Sequence, residues 1–228
     1  MTGDSAPPVG LEVPRSLRAQ IAAALRGAIV TGQMHPGETY SVPATALRFG
    51  VSATPAREAM LDLVKDGLLV AVRNKGFQVP ALTEHDLDEI TELRVLLEAP
   101  TVGRLAGRVG TEDLDRLLEL AAQVQRHAEA GDLVQYVEVD RSLHLGLLSL
   151  AGNHRLVAMV EQLRDRSRLP GLQALVHQGR LAESAREHLA ILSAVNRGDA
   201  AVAERLTAAH VRHARGIWAG RTETGAGG

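Results

Sequence analysis

After Pro80 this chain stops offering strands. From Glu84 to Gly220 apolar residues recur at helical spacing in one segment after another, with no alternating run between them. Amphipathic helices with no sheet to cover can bury their stripes only against one another, so this stretch must fold as a helical bundle. The expected helices are Glu84–Val109 (kinked at Pro100), Glu112–Ala130, Asp132–Ala151, His154–Arg168, Arg180–Arg197 and Ala200–Ala219. Pro170 to Gly179 reads as a loop or short helix.

The front is organised differently. A helix is expected from Pro14 to Thr31, a short one from Pro43 to Phe49 closed by Gly50, and a third capped by Ser52 or Thr54 and stopped by Gly67. Two β-like runs follow, Leu68–Val72 and Phe77–Val79, joined by the turn Arg73-Asn74-Lys75-Gly76. The predicted division is residues 11–80, residues 84–220 and a disordered tail at 221–228. The fold class is mostly α: a winged helix-turn-helix followed by an all-helical bundle.

Composition narrows the function. The chain has no cysteine, which removes disulfides, thiolate metal sites and cysteine nucleophiles. Aromatic residues are 2% of the 228, too few for a platform that stacks single-stranded bases. No apolar run approaches the roughly 18 residues of a membrane span. The N-terminus has neither a basic start nor an apolar stretch, so a cytoplasmic protein is expected. The net charge of −2 hides an asymmetry. Leu11–Pro80 carries eight Lys+Arg against five Asp+Glu, whereas the rest from Ala81 carries seventeen against twenty-one. A basic front joined to an acidic back implies different partners for the two.

Three helices with a tight turn between the second and third, then a basic hairpin, suit double-stranded DNA. The third helix offers its first side chains to base edges in the major groove, and the wing lays Arg73 and Lys75 on phosphates. Gly76 lets the backbone approach closely. The competing reading is a small α+β interaction domain with a solvated basic turn.

In the back half, polar residues interrupt three apolar stripes, and a polar residue in a core position needs a reason. The stripes read Leu133, Val137, Asp140, His144, Leu147; then Leu181, Ser184, His188, Ile191, Val195; then Ala203, Leu206, His210, Ala214, Ile217. A single buried histidine is usually a satisfied core residue. Three, with a carboxylate one turn from one of them, point to a divalent ion such as zinc or nickel.

The stretch GVSATPAREAMLDLVKDGLL from Gly50 and RNKGFQV from Arg73 resemble the DNA-binding domain of the GntR family of bacterial transcription regulators. The resemblance implies that Arg57 is the recognition-helix arginine. It places Ser52 and Thr54 at backbone or base edges and Gly76 at the wing tip. Two positions depart from the pattern. Ala53 stands where the family usually has Arg, and Val42 stands where it usually has an acidic residue. Arg48 is the candidate to compensate, or is simply solvated.

The back half is similar to the FCD effector domain of FadR-type regulators. The matching pieces are LRVLLE at Leu93, DxxxH at Asp140, AGN at Ala151, EH at Glu187 and the turn from Ala194. The resemblance implies Asp140, His144, His188 and His210 as metal ligands, with His213 the rival for the last position. It implies Arg94 and Asn153 near an effector cavity. Alternatively, Arg94 pairs with Glu98 and Asn153 caps a helix. The expected function is a ligand-responsive regulator, in most such proteins a repressor, acting as a homodimer on a palindromic operator. Its effector is expected to be a small carboxylate. The alternatives are a metal-sensing regulator and a metal-dependent hydrolase, for which Glu187 and His213 are the available bases.

Overall fold

The computed structural model describes residues 16–167 and 180–218. The expected start of the first helix, the loop at 170–179 and the tail at 221–228 lie outside the described residues.

The first helix, α1 (Leu17–Val30), starts at Ser16, whose hydroxyl accepts from the Ala19 amide at 3.2 Å. Strand β1 (Thr39–Tyr40) comes next. Helix α2 (Val42–Phe49) is capped by the Ser41 side chain and closed by Gly50 at φ 63°. Helix α3 (Ala53–Lys65) begins after Ser52, which occupies the cap position without making a side-chain cap bond. Strands β2 (Val70–Val72) and β3 (Gly76–Gln78) form the wing. The sheet is antiparallel with order β1-β3-β2, pairing Thr39 with Gln78 and Ala71 with Phe77. Strand β1 was not legible in sequence, because two residues are too few to show alternation.

Helix α4 (Glu84–Leu105) opens with a capping box in which Thr83 and Asp86 satisfy each other's amides. It runs through Pro100 and ends four residues before the expected Val109, where Gly107 turns the chain at φ 72°. The bundle continues with α5 (Thr111–Ala130), α6 (Leu133–Ser149), α7 (His154–Ser167), α8 (Arg180–Arg197) and α9 (Ala200–Trp218).

Among the described residues two apolar cores result. The front core joins Ile21, Leu25 and Ile29 of α1 to Met60 and Leu63 of α3, with Leu68, Phe77 and Val79 beneath the wing. The back core joins Leu117 and Val124 of α5, Leu148 of α6, Val160 of α7 and Leu192 and Val195 of α8. Helix α4 packs mainly on α9, and α5 on α6 and α8. This arrangement aims the polar interruptions of α6, α8 and α9 at one another.

Candidate metal centre and nucleic-acid interface

Asp140, His144, His188 and His210 are all buried, between 3 and 7% exposed. One ligand atom from each lies within 4.8 Å of all the others. The Nε2 atoms of His144 and His188 are 3.0 Å apart, and those of His144 and His210 3.2 Å. Asp140 Oδ1 lies 3.3 Å from His188 Nε2 and 3.6 Å from His144 Nε2. Atoms about 2.0–2.1 Å from a shared ion would stand roughly 2.8–3.0 Å apart at octahedral angles and roughly 3.3–3.4 Å at tetrahedral ones. The spacing and the nitrogen-oxygen donor set therefore fit a divalent ion.

Most of the ligands are oriented from behind. His210 Nδ1 is 2.7 Å from Glu187 Oε2. A carboxylate can only accept, so Nδ1 carries the proton and Nε2 keeps its lone pair for the centre. His144 Nδ1 faces Glu98 Oε2 at 3.5 Å. Asp140 Oδ2 accepts from Arg164 Nη2 at 2.7 Å, which turns Oδ1 towards the imidazoles. His188 Nδ1 is buried without a partner among the described residues. His213 pairs with Glu187 at 2.5 Å and stands outside the four convergent atoms.

Burial pushes His210 down to about 3, against the opposing hydrogen bond from Glu187. Burial, then Arg164, lowers His144 as well. Burial acts to raise Glu98, but Arg94 and Arg164 outweigh it and hold the carboxyl well below its usual range. Burial thus holds His144 and His210 neutral at pH 7 and able to ligate. One consequence is a pH-dependent stability. The unfolded chain takes up protons on these histidines below about 6.5, and the folded chain does so only nearer 3 for His210. The stability contributed by the neutral rings is present above 6.5 and is lost as pH falls through that window. The slope approaches 1.4 kcal/mol per pH unit per histidine, on the order given by linkage. Urea denaturation of chelator-treated protein at pH 7 and pH 5 checks this; unchanged or higher stability at pH 5 contradicts it.

The sequence missed two members of the site. Arg164 and Glu98 link Arg94 to the centre: Arg94 Nε donates to Glu98 Oε1 at 2.7 Å, and Arg164 Nη1 to Glu98 Oε2 at 3.2 Å. Arg164 lies on the α7 stripe with Val160 and Ser167, all buried. It is the same kind of polar interruption that marks the histidines. Arg94 is 5% exposed, with its guanidinium on Glu98. Asn153 is exposed, and its Oδ1 caps α7 by accepting from the Leu156 amide at 3.1 Å. A cavity of about 20 Å³, lined by His144, His188, Leu143, Leu192 and Thr207 among others, adjoins the centre. It has room for about one water.

At the other end, α3 and the wing flank a groove of about 550 Å³ lined by Arg57, Leu61, Arg73, Asn74 and Lys75. Ser52, Thr54, Arg57, Arg73 and Lys75 are exposed. Arg48 is exposed on the last turn of α2 and does not line the groove. At the wing tip it is Asn74 that takes the left-handed conformation, at φ 60°. Gly76 has φ 125°, and a Cβ there would stand 2.4 Å from the Tyr40 carbonyl oxygen. The glycine is thus required by the contact of β3 with β1, whatever approaches from outside.

Comparison with known proteins agrees with this architecture. Residues 17–79 match the bacterial regulatory proteins of the gntR family, and residues 89–213 match the FCD domain. The HTH-type transcriptional regulator McbR of Escherichia coli is 33% identical over 174 residues, covering 76% of this chain and 78% of McbR. The E. coli HTH-type transcriptional repressor GlaR is 28% identical, covering 82% and 89%. The solved structure of E. coli McbR/YncC superposes with a TM-score of 0.77 at 29% identity, covering 90% of this chain and 98% of that one. With a recognition helix and wing in front and an FCD bundle behind, the chain belongs to the GntR family of bacterial transcriptional regulators.

Proposed function

We propose that the protein is a cytoplasmic, ligand-responsive repressor that binds palindromic operator DNA as a homodimer. Residues 11–80 read the DNA, and residues 84–220 hold a divalent metal and a small organic acid. The convergence of three imidazole nitrogens and one carboxylate oxygen in a buried site carries this reading. No helix among the described residues is long and apolar enough to cross a membrane, which is compatible with it. Two-fold symmetric heads suit two half-sites, and the name of GlaR supports the repressing sign.

Asp140, His144, His188 and His210 hold the ion, with zinc the first choice and nickel the alternative. When bound, the metal supplies a fixed positive charge and a coordination position for a carboxylate oxygen. Arg94 is the second anchor, exchanging Glu98 for the ligand's other carboxylate oxygens. Asn153 is the further effector contact in this reading, beside its cap bond to the Leu156 amide. No catalytic role is assigned, since Glu187 is taken up by His210 and His213.

On the DNA side, Ser52, Thr54 and Arg57 face base edges or backbone, Arg73 and Lys75 face phosphates, and Arg48 reaches flanking phosphate. Arg57→Ala should weaken specific operator binding by roughly 1–3 kcal/mol. Lys75→Ala should weaken all sequences alike and flatten the salt dependence. Gel-shift titrations at several salt concentrations read both, and full operator affinity in Arg57→Ala rejects the assignment of the recognition helix.

The small cavity favours a second reading, in which the ion itself is the signal. DNA binding measured with metal-loaded protein, stripped protein, and loaded protein plus a panel of carboxylates separates the two. On the first reading, carboxylates bind only when metal is present, and Arg94→Ala lowers their affinity while leaving metal content unchanged. Equal carboxylate binding with and without metal removes the acid from the centre.

A further inference from the structure

Asp140 and Arg141 are neighbours on α6, and Arg164 and Asp165 are neighbours on α7. They approach one another crosswise. Arg164 Nη2 donates to Asp140 Oδ2 at 2.7 Å, and Arg141 Nε lies 3.5 Å from Asp165 Oδ1. The other oxygen of Asp165 accepts from Arg26 of α1, in the DNA-binding head. Arg26 also donates to Asp66, at the end of the recognition helix, at 2.5 Å. Beside them Arg166 lies over Gly67, so close that a Cβ there would come within 3.0 Å of Arg166 Cδ. Consecutive residues of the last turn of α7 therefore face opposite ways: Arg164 towards the metal centre, Asp165 and Arg166 towards the head.

The seat is partly desolvated. Asp165 is 6% exposed and the Arg26 side chain 17%. Burial works against the Arg26 charge, but Asp165 and Asp66, with Glu138 behind them, outweigh it. Charged hydrogen bonds of this kind are short and directional, and neither partner is easily replaced by water.

We propose that the Arg26–Asp165 seat positions Arg164, and through it the ligand oxygen of Asp140, so that docking of the head and metal affinity form one coupled equilibrium. The proposal rests on the metal reading of the centre. One peptide unit joins residues 164 and 165, and a helical turn moves as a unit. A displacement of Asp165 from Arg26 therefore displaces the guanidinium that orients Asp140. Linkage makes the effect reciprocal: whatever the ion does to the seat, the seat does to the ion's affinity. Arg164 acts here as a positioning residue.

Zinc titration calorimetry on the full, chelator-stripped chain tests this with Arg26→Met, Asp165→Asn, Arg26→Lys and, as control, Arg18→Met. Arg18 pairs with Asp62 at 2.5 Å within the head. Arg141, which pairs more closely with Glu161, remains 3.5 Å from Asp165 in Arg26→Met and keeps a cation near that carboxylate. Removing the Arg26 cation would, through space alone, tighten the binding of another cation. Coupling predicts the opposite: zinc affinity weaker by about fivefold or more in Arg26→Met and Asp165→Asn, at the lower end of usual coupling strengths. It also predicts partial recovery in Arg26→Lys and no change in Arg18→Met. Unchanged or tighter binding in Arg26→Met overturns the proposal, as does a weakening that Arg18→Met shares. A wild type that takes up no zinc overturns both the coupling and the metal reading; a zinc-binding wild type with an unaffected Arg26→Met overturns the coupling alone.

Discussion

Arg164→Met should lower the unfolding free energy of the metal-free protein by about 3–5 kcal/mol, the usual cost of removing one partner from a buried ion pair. Arg164 is 3% exposed and donates to two carboxylates that are themselves nearly inaccessible, Asp140 and Glu98. Methionine fills a similar volume, so little cavity is created and the loss is chiefly electrostatic. Glu98 keeps Arg94 at 2.7 Å and is the less affected. Asp140 loses the hydrogen bond that turns Oδ1 towards the imidazoles. Chemical denaturation in the presence of chelator measures the difference. A change below about 1 kcal/mol, typical of an exposed ion pair, shows that water reaches these groups and that the network is not the closed one described.

The residues that carry this site were unequally legible. Asp140, His144, His188 and His210 announced themselves because each breaks an apolar stripe of its own helix, and helical periodicity is a local property. Their convergence follows from α5 joining α6 to α8 and from α8 packing on α9, which no single helix encodes. Arg164 breaks the α7 stripe in the same way but sits in the polar run Arg164-Asp165-Arg166, where an arginine reads as solvated. Glu98 was visible only as the partner of Arg94, four residues away, and its second partner comes from 66 positions later. The front was legible through its turns: Gly50, Gly67 and the wing sequence place α2, α3 and the hairpin. Strand β1 was not, and so the structural demand on Gly76 stayed out of view. The glycine answers to Tyr40 across the sheet, a contact 36 residues away in sequence. The seat of the head on α7 was invisible for the same reason, since Arg26 and Asp165 are separated by 139 positions.

Zinc should raise the thermal midpoint of stripped protein by roughly 5–16 °C when supplied at a hundred to a thousand times its dissociation constant. An ion that binds only the folded state stabilises it by about 2.7–4.1 kcal/mol at those ratios. Each kcal/mol moves the midpoint of a chain this size by roughly 2–4 °C. The site is prepared for the ion in two respects. Burial holds His144 and His210 neutral, so little proton release has to accompany binding at neutral pH. Glu187 and Arg164 fix the outer atoms of His210 and Asp140, so two of the four ligands are already turned inward. His210→Ala removes one ligand and leaves Glu187 with His213. It should stay folded and lose most of the zinc-dependent shift. His213→Ala should keep that shift, since His213 lies outside the four convergent atoms. Should the two variants exchange these outcomes, the last ligand is His213 and α9 turns differently at the centre. Identical midpoints for the wild type with zinc and with chelator would leave Asp140 and the three histidines as a buried polar network, and the effector would have to be sought elsewhere in the bundle.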